Sequence, residues 1–188
     1  MKKKILFFTQ DPPADTHAIH VWLGASTGSH EEILYQILCR YLKAPFHLER
    51  TSKGKLYIPN SPLNFNLSDC QEHLAICFNW GSPVGIDIEI IRPIEEMKQI
   101  IQDHFSWKEQ AYIYACKTKK IARFWEIWNR KEACLKALGI GLQDNMKEWD
   151  CSGKNWILVK RTYVRSIPVP YKLSAAVAIE MQGIRIQS

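Results

Sequence analysis

Two short segments of the chain hold the residue types expected of a site for a hard cation and a phosphate. Asp87 and Glu89 lie two residues apart in segment 85–89, and Glu132 and Lys136 lie four apart further along the chain. Carboxylate oxygens are preferred ligands of Mg²⁺, and a lysine can neutralise a phosphate. The sequence predicts a metal-and-phosphate site if folding brings these segments together.

Each segment also has an ordinary structural interpretation. In a strand, Asp87 and Glu89 would share one face about 6–7 Å apart, which is equally typical of a solvated acidic face. In a helix, Glu132 and Lys136 could form a common i,i+4 ion pair of about 0.2–0.5 kcal/mol. However, helical spacing also places Glu132 beside Trp128, and an unpaired carboxylate there would need a cation.

Periodicity predicts the elements that must position these residues. The last predicted helix ends at Gly139, the usual place for a C-terminal glycine. We predict an α+β fold of two pseudo-symmetric halves, 1–92 and 93–188, each a small antiparallel sheet packed by a helix. The motif Gly-Ile-x-Ile at 85–88 recurs at 183–186 and supports the two halves. The predicted strands are 5–8, 19–23, 74–78, 84–91, 156–164, 173–179 and 183–186, and the predicted helices are 31–42, 94–104, 107–117 and 121–138.

Composition restricts the class of protein without choosing its function. The 188 residues are 46% hydrophobic, enough for a buried core, and the net charge of +6 favours an anionic partner. Six cysteines without a C-x-x-C pair argue against a zinc cluster or a disulfide framework. The apolar run after the lysines at 2–4 is too short for a signal peptide, and no run approaches the roughly 18 apolar residues of a membrane span. A cytoplasmic protein with reduced thiols and no membrane partner is expected.

The two segments together resemble a known family. Segment 85–89, followed by a stretch with the pattern Trp-x-x-Lys-Glu-Ala-x-x-Lys-Ala-x-Gly over 128–139, resembles the 4′-phosphopantetheinyl transferases, specifically the long, surfactin-synthetase-activating type. Supporting matches are Gly-Lys at 54–55, Phe-Asn-Leu-Ser at 65–68, and the pair Phe105 and Glu109. The resemblance covers roughly residues 20–180.

The resemblance implies an activity and roles for the site residues. A transferase of this family would move the phosphopantetheine arm of coenzyme A to a serine of an acidic apo carrier protein and release adenosine 3′,5′-bisphosphate. Asp87, Glu89 and Glu132 would hold Mg²⁺, and Lys136 would steady the departing phosphate. Glu132, directly or through a metal-bound water, is the expected base. Coenzyme A would lie in the cleft between the two halves of a monomer.

The resemblance also implies roles for residues other than the expected metal ligands, including contacts with coenzyme A. Lys131 follows the motif but points partly away from Glu132, so we expect it to support the site. The basic turn at 117–120 is either a solvated loop or a docking place for an acidic carrier protein. The expected coenzyme A contacts are Arg40, Lys53, Gly54, Lys55, Ser68, Asp69 and Lys136.

One departure from the family pattern motivates a rival interpretation. Ser-Asp-Cys at 68–70 stands where the family has Ser-His-Ser, and Asp69 would repel a phosphate unless it turns away or meets a cation. A non-catalytic relative that only binds carrier proteins is the first alternative. A basic nucleic-acid-binding module is the second, and it would need basic residues rather than Glu132. The three acids argue against it, so we expect no nucleic acid partner.

Overall fold

The computed structural model describes residues 3–141, 145–170 and 172–181. Two short 3₁₀ helices, Lys117–Lys119 and Met146–Glu148, accompany the regular elements. The strands are β1 Ile5–Phe8, β2 Ile19–Ala25, β3 Glu49–Arg50, β4 Leu56–Tyr57, β5 Leu63–Cys70, β6 His73–Trp80, β7 Val84–Ile90, β8 Ile157–Val159, β9 Thr162–Ser166 and β10 Leu173–Glu180. The helices are α1 His30–Leu38, α2 Met97–His104, α3 Trp107–Tyr114 and α4 Lys120–Leu138.

Two four-stranded sheets carry the fold, in the strand orders β1-β2-β6-β5 and β7-β10-β9-β8. A small third sheet pairs β3 with β4. The predicted α+β class is confirmed. Within the first sheet, the edge strand β1 pairs with β2 in parallel, while the other pairs are antiparallel. The long connection between these strands lets the chain return to the same end of the sheet before β2 begins.

The two sheets face each other, and each carries a helix on its outer side. Alternating apolar residues of β2 and β6 pack against those of β7 and β10 in a core that includes Val21, Cys77, Ile86 and Val177. The other face of the first sheet packs on α1. The other face of the second sheet packs on α4, where Trp125 and Trp128 contribute to packing.

The strand that carries Asp87 and Glu89 belongs to the second sheet. β7 pairs with β10 throughout its length, from Val84 opposite Ile179 to Ile90 opposite Leu173. Because Ile86 and Ile88 face the first sheet, the alternation of a strand turns Asp87 and Glu89 towards α4. The division of the chain after residue 92 stays a prediction. One strand of the second sheet, β7, lies before that boundary.

Several predicted boundaries change for identifiable reasons. α1 ends at Leu38, whereas the predicted helix extends to residue 42. α4 ends at Leu138 and is followed, as predicted, by Gly139, which has a left-handed φ of 66°. The predicted strand 156–164 is instead the hairpin of β8 and β9, because Lys160 turns the chain with a φ of 52°. β5 is absent from the predicted strands, although apolar and polar residues alternate along Leu63–Ser68 as is typical of a half-buried strand. The predicted strand 183–186, with its repeat of Gly-Ile-x-Ile, lies outside the described residues.

Within the described ranges, the structure contains no helix that is both long and apolar enough to cross a membrane.

Candidate active site

The backbone of β7 approaches α4 closely where the two predicted segments meet. A Cβ atom on Gly85 would lie 2.1 Å from the Ala133 carbonyl oxygen and 2.4 Å from the Ala137 nitrogen. Such distances are far below van der Waals contact, so this position requires glycine. The missing side chain allows Asp87, two residues further on, to reach the helix face that carries Lys136.

A buried polar network joins three elements at this contact. The Lys136 ammonium group donates to Asp87 Oδ1 at 2.7 Å and to Ser68 Oγ at 2.9 Å. Ser68 Oγ also donates to Asp87 Oδ1 at 3.0 Å. Asp87 is only 4% exposed, and its Oδ2 atom has no hydrogen-bond partner among the described residues. Burial raises the pKa of Asp87, while Lys136 and Ser68 oppose that shift.

Two further carboxylates respond to the charge of Asp87. Burial, followed by repulsion from Asp87, raises the pKa of Glu89 to about 7, against the opposing effect of Lys136 and Arg92. Burial and then Asp87 also raise the pKa of Glu132 to about 6, which Lys136 counteracts. Each shift has the sign expected for carboxylates that share a site with too little positive charge. The segments around Asp87 and Lys136 therefore meet at one place in the fold.

These residues fit a divalent cation by their chemistry. Asp87 Oδ2 is an orphaned buried acceptor, and Asp87, Glu89 and Glu132 perturb one another electrostatically. The three are not drawn into a closed metal cluster: over the described ranges no three Asp, Glu, His or Cys side chains are grouped closely enough to hold an ion. The positive charge beside the Asp87 carboxylate is instead the ammonium group of Lys136. A cation would have to compete with this lysine for Asp87 Oδ1.

Two cavities open beside the network and share part of their lining. The larger has a volume of about 460 Å³, and the smaller, of about 210 Å³, reaches Lys136. Gly54, Lys55 and Asn66 line both cavities, while Lys53 lines only the smaller. The backbone at Gly54 has a φ of 81°, so glycine lets this loop turn between the cavities.

Lys55 holds a structural position at the end of α4. Its ammonium group donates to the carbonyl oxygens of Lys136 at 2.6 Å, Val84 at 3.1 Å and Ala137 at 3.3 Å. Burial lowers the pKa of Lys55. Since helix carbonyls lose their partners at the C-terminus, a lysine there stabilises the last turn. Its predicted contact with coenzyme A would have to compete with these bonds.

Asp69 and Arg40, two other predicted coenzyme A contacts, are not among the residues that line the two cavities. Asp69 points away from Ser68, because neighbours in a strand face opposite sides, and its carboxylate lies 3.8 Å from His30 Nδ1. His30 lines the larger cavity, so Asp69, the residue that departs from the family pattern, contacts a histidine of the cavity wall. Arg40 is exposed beyond the end of α1 and is absent from the lining of both cavities.

Three residues near the site were not singled out from the sequence. Asn66 Oδ1 accepts from the Ile86 N–H at 3.1 Å and so joins β5 to β7 across the two sheets. His30 and Arg50 line the larger cavity. Of the three, only Asn66 has a sequence signal, because it lies in the Phe-Asn-Leu-Ser match at 65–68. His30 and Arg50 are brought to the cavity by tertiary packing alone.

Lys131 lies away from the cavities and supports α4 from its opposite side. It is fully buried, and its ammonium group contacts Glu109 Oε2 at 2.9 Å. It also donates to the carbonyl oxygens of Trp149 at 2.6 Å and Met146 at 2.8 Å. Glu109 in turn closes a capping box with Ser106 at the start of α3. This buried pair ties α3 to the helix that carries Glu132, consistent with a supporting role for Lys131.

Comparison with known proteins places the site within a family match. The model of the 4′-phosphopantetheinyl transferase superfamily matches residues 83–175, which contain Asp87, Glu89, Glu132 and Lys136. The 4′-phosphopantetheinyl transferase AcpT of Salmonella typhi is 39% identical over 80 residues, covering 42% of this chain and 42% of that protein.

Two longer alignments extend over more of the chain. The 4′-phosphopantetheinyl transferase HetI of Nostoc is 34% identical over 58% of this chain and 50% of its own length. The 4′-phosphopantetheinyl transferase Sfp of Bacillus subtilis is 29% identical over 61% of this chain and 54% of its own length. The matches thus span about half the length of these relatives.

Proposed function

We propose that this chain, which belongs to the 4′-phosphopantetheinyl transferase superfamily, transfers the 4′-phosphopantetheine arm of coenzyme A to a serine of an apo carrier protein. The main observation that supports this proposal is the 2.7 Å contact of Lys136 with Asp87 Oδ1, which joins the two motifs of the family match in one buried network. The other product would be adenosine 3′,5′-bisphosphate.

Mg²⁺ is the cofactor of this proposal, with Asp87, Glu89 and Glu132 as its ligands. The orphaned Oδ2 of Asp87 and the raised pKa values of Glu89 and Glu132 support this donor set. When bound, Mg²⁺ would supply Lewis-acid neutralisation of the pyrophosphate charge.

Two side chains of α4 would act on the reacting groups. Glu132, whose pKa is raised to about 6, is ionised at neutral pH yet basic enough to accept the proton of the incoming serine. As the serine oxygen bonds to phosphorus, the bond from phosphorus to the bridging pyrophosphate oxygen breaks. Lys136, a fixed positive charge beside Asp87, would stabilise the negative charge that develops on the departing phosphate.

Coenzyme A would occupy the two joined cavities. The larger cavity has a size typical of small-molecule sites, and the smaller connects it to Lys136. Gly54 and Lys55 line both cavities, Lys53 lines the smaller, and Ser68 accepts a hydrogen bond from Lys136 at 2.9 Å. We keep Arg40 and Asp69 as more remote contacts, with the Asp69 carboxylate 3.8 Å from His30 Nδ1.

The remaining properties follow from this assignment. We propose a cytoplasmic monomer of the long type, because one chain supplies both halves and all the site residues. Free cysteines at six described positions support a reducing compartment. The positive net charge supports an acidic carrier protein as partner.

Intact-mass spectrometry tests the proposal directly. The purified protein is incubated with coenzyme A, MgCl₂ and a panel of apo carrier proteins from fatty-acid, polyketide and peptide synthases. We expect at least one carrier to gain the mass of one phosphopantetheine. Glu132→Gln and Asp87→Asn should each reduce the rate by at least about 100-fold, since the neutral amide weakens metal binding and Glu132→Gln also removes the base.

Glu95→Gln is the control, because Glu95 is exposed and lies outside both motifs. Modification of no carrier by the wild-type protein, together with binding of a carrier, would favour the non-catalytic relative. Wild-type rates in both site variants would refute the metal site. Salt-dependent binding to DNA or RNA without carrier modification would favour the nucleic-acid-binding module.

A further inference from the structure

Both signs of charge line the larger cavity beside the buried network. Among the described residues of its wall, the ionisable side chains are His30, Glu31, Arg50 and Lys55. Arg50 Nη2 contacts Glu31 Oε1, so the charges of these two neighbours cancel. Arg50 Nη1 donates to the Gly54 carbonyl oxygen at 3.0 Å. The guanidinium group is therefore already engaged by the protein itself.

The two other basic residues of the wall also have protein partners. The Lys55 ammonium group is turned towards three carbonyl oxygens at the end of α4 and the start of β7. The His30 ring lies between Ser26 Oγ, 2.5 Å from its Nε2 atom, and Asp69 Oδ1, 3.8 Å from its Nδ1 atom. Each described basic side chain of this wall would thus have to give up a partner to bind an anion.

Acidic groups crowd the same wall of the cavity. Glu31 and Glu32 stand in the first turn of α1, where a helix N-terminus favours negative charge. The Asp69 carboxylate adds a further negative charge beside His30. An anion that entered the cavity would meet these carboxylates, and like charges close together repel each other. The larger cavity therefore suits a neutral group better than a dianion.

The nucleotide end of coenzyme A would face this cavity. In the proposed transfer, Lys136 stabilises the departing phosphate, which carries the adenosine. Lys136 lines the smaller cavity, which shares Gly54, Lys55 and Asn66 with the larger. The departing half of the donor would thus extend from Lys136 through the smaller cavity into the larger. The ribose 3′-phosphate lies in this half and carries a charge of about −1.5 to −2 at neutral pH.

We propose that this chain does not select for the 3′-phosphate and uses 3′-dephospho-coenzyme A as a donor with an efficiency comparable to that of coenzyme A. This inference rests on the proposed function, which requires a coenzyme A donor. A 3′-phosphate that drew Arg50 away from Glu31 would leave that carboxylate unpaired beside a dianion. The repulsion offsets the new contact, so the 3′-phosphate adds little net affinity.

The reacting bonds are the same with either donor. The serine oxygen bonds to phosphorus, the serine proton passes to Glu132, and the bond from phosphorus to the bridging pyrophosphate oxygen breaks. The carrier gains the same phosphopantetheine arm in both cases. With the dephosphorylated donor, adenosine 5′-monophosphate leaves in place of adenosine 3′,5′-bisphosphate.

Steady-state kinetics with the two donors and a carrier that the wild-type protein modifies tests the inference. The quantity measured is the ratio of kcat/KM for coenzyme A to kcat/KM for 3′-dephospho-coenzyme A, which we call the donor ratio. We expect a wild-type donor ratio below about ten, because one unopposed charge-assisted hydrogen bond to the 3′-phosphate would raise it above that value.

Two variants test the cause of the low donor ratio. Glu31→Gln/Asp69→Asn removes the acids that engage Arg50 and His30, so it should raise the donor ratio by about five-fold or more at 50 mM NaCl. The increase should shrink at about 500 mM NaCl, where exposed charges are screened. Arg50→Gln should change both efficiencies by the same factor, because the wild-type guanidinium group is already paired.

A matched control separates the local effect from a change of net charge. Glu95→Gln/Asp103→Asn removes two exposed acids that are absent from the lining of both cavities. It changes the net charge as much as Glu31→Gln/Asp69→Asn does and should keep the wild-type donor ratio. Thermal unfolding confirms that each variant is folded before its kinetics are interpreted.

The outcomes distinguish failure of this inference from failure of the proposed function. No modification of any carrier with either donor would refute the function itself. Modification with a wild-type donor ratio of ten or more would overturn only the inference about the 3′-phosphate. An increase of less than five-fold in Glu31→Gln/Asp69→Asn, or an equal increase in the control, would also overturn it.

Discussion

The Lys136 ammonium group lies 2.7 Å from Asp87 Oδ1, while Asp87 Oδ2 is buried without a hydrogen-bond partner. One oxygen of this carboxylate is therefore neutralised by the protein, and the proposed function assigns the other to Mg²⁺. Lys136 has two tasks in the proposed function: it stabilises the unliganded site, and it offers positive charge to a departing phosphate.

Replacement of this lysine should separate the two tasks. Lys136→Met should lower the transfer rate by about 100-fold or more, because charge on the departing phosphate loses its partner. It should also lower the free energy of unfolding in Mg²⁺-free buffer by about 1–3 kcal/mol, since Asp87 then lacks its main hydrogen-bond donor. Urea unfolding measures the second effect. MgCl₂ should restore more stability to the variant than to the wild type, because the lysine no longer competes for Oδ1.

Lys154→Met, at an exposed position, provides the comparison and should leave both quantities unchanged. A Lys136→Met protein with wild-type stability and rate would contradict the role given to the contact.

Stability should depend on pH in opposite ways with and without Mg²⁺. The pKa of Glu89 is raised to about 7 and that of Glu132 to about 6, so the folded protein holds protons more tightly than the unfolded chain. Without the metal, stability should fall as the pH rises from about 4.5 to 7, through the window between the unfolded and folded pKa values. Mg²⁺ requires ionised ligands, so its stabilising effect should be present above pH 7 and lost as the pH falls through 7 and 6.

Thermal unfolding at pH 5.5 to 8, with and without MgCl₂, checks this prediction. Asp87→Asn should lower the pKa values of Glu89 and Glu132, because the Asp87 charge is one cause of both shifts. A Mg²⁺ effect of equal size at pH 5.5 and 8 in the wild type would argue against these carboxylates as ligands.

The contact between Gly85 and α4 should not tolerate a methyl group. In Gly85→Ala, the added Cβ would meet the Ala133 carbonyl oxygen at 2.1 Å, so β7 and α4 must separate. We expect a loss of about 1–3 kcal/mol in the free energy of unfolding, typical of overpacking, together with reduced transfer as Asp87 moves from Lys136. Chemical denaturation and the mass-spectrometric assay measure the two effects.

A suitable reference is Gly141→Ala, since a Cβ there would meet nothing within 4 Å. Equal stability of the two alanine variants would show that the close approach is not maintained in solution.

Lys55 should affect stability more than its neighbour Lys53 does. Lys55→Met removes three bonds to carbonyl oxygens, including those of Lys136 and Ala137, and should lower the free energy of unfolding by about 1.5–3 kcal/mol. Lys53 is exposed, so Lys53→Met should preserve stability and, as a predicted coenzyme A contact, raise KM for coenzyme A.

Urea unfolding and coenzyme A titrations of both variants make the comparison. If Lys55→Met raises KM for coenzyme A without any loss of stability, its main partner is the nucleotide rather than α4.

The sequence by itself determined the chemistry of the site and the elements that carry it. Periodicity of two placed Asp87 and Glu89 on one face of β7, and periodicity of 3.6 placed Glu132 and Lys136 on one face of α4. These patterns are local, because the spacing of side chains along a strand or helix depends only on backbone geometry. The same reasoning predicted the end of α4, where Gly139 adopts the left-handed conformation that glycine favours.

Only the tertiary structure decided which residues meet. β7 lies before the predicted boundary yet pairs with β10, and the polar residues Asn66 and Ser68 of β5 make contacts across the two sheets. The structure turned Asp69 towards His30 and engaged Lys55 at the end of α4. Long-range pairing and burial fix such contacts, and neither is encoded in the spacing of a single segment. A residue's type indicates what it can bind, but its partner depends on which distant segment packs against it.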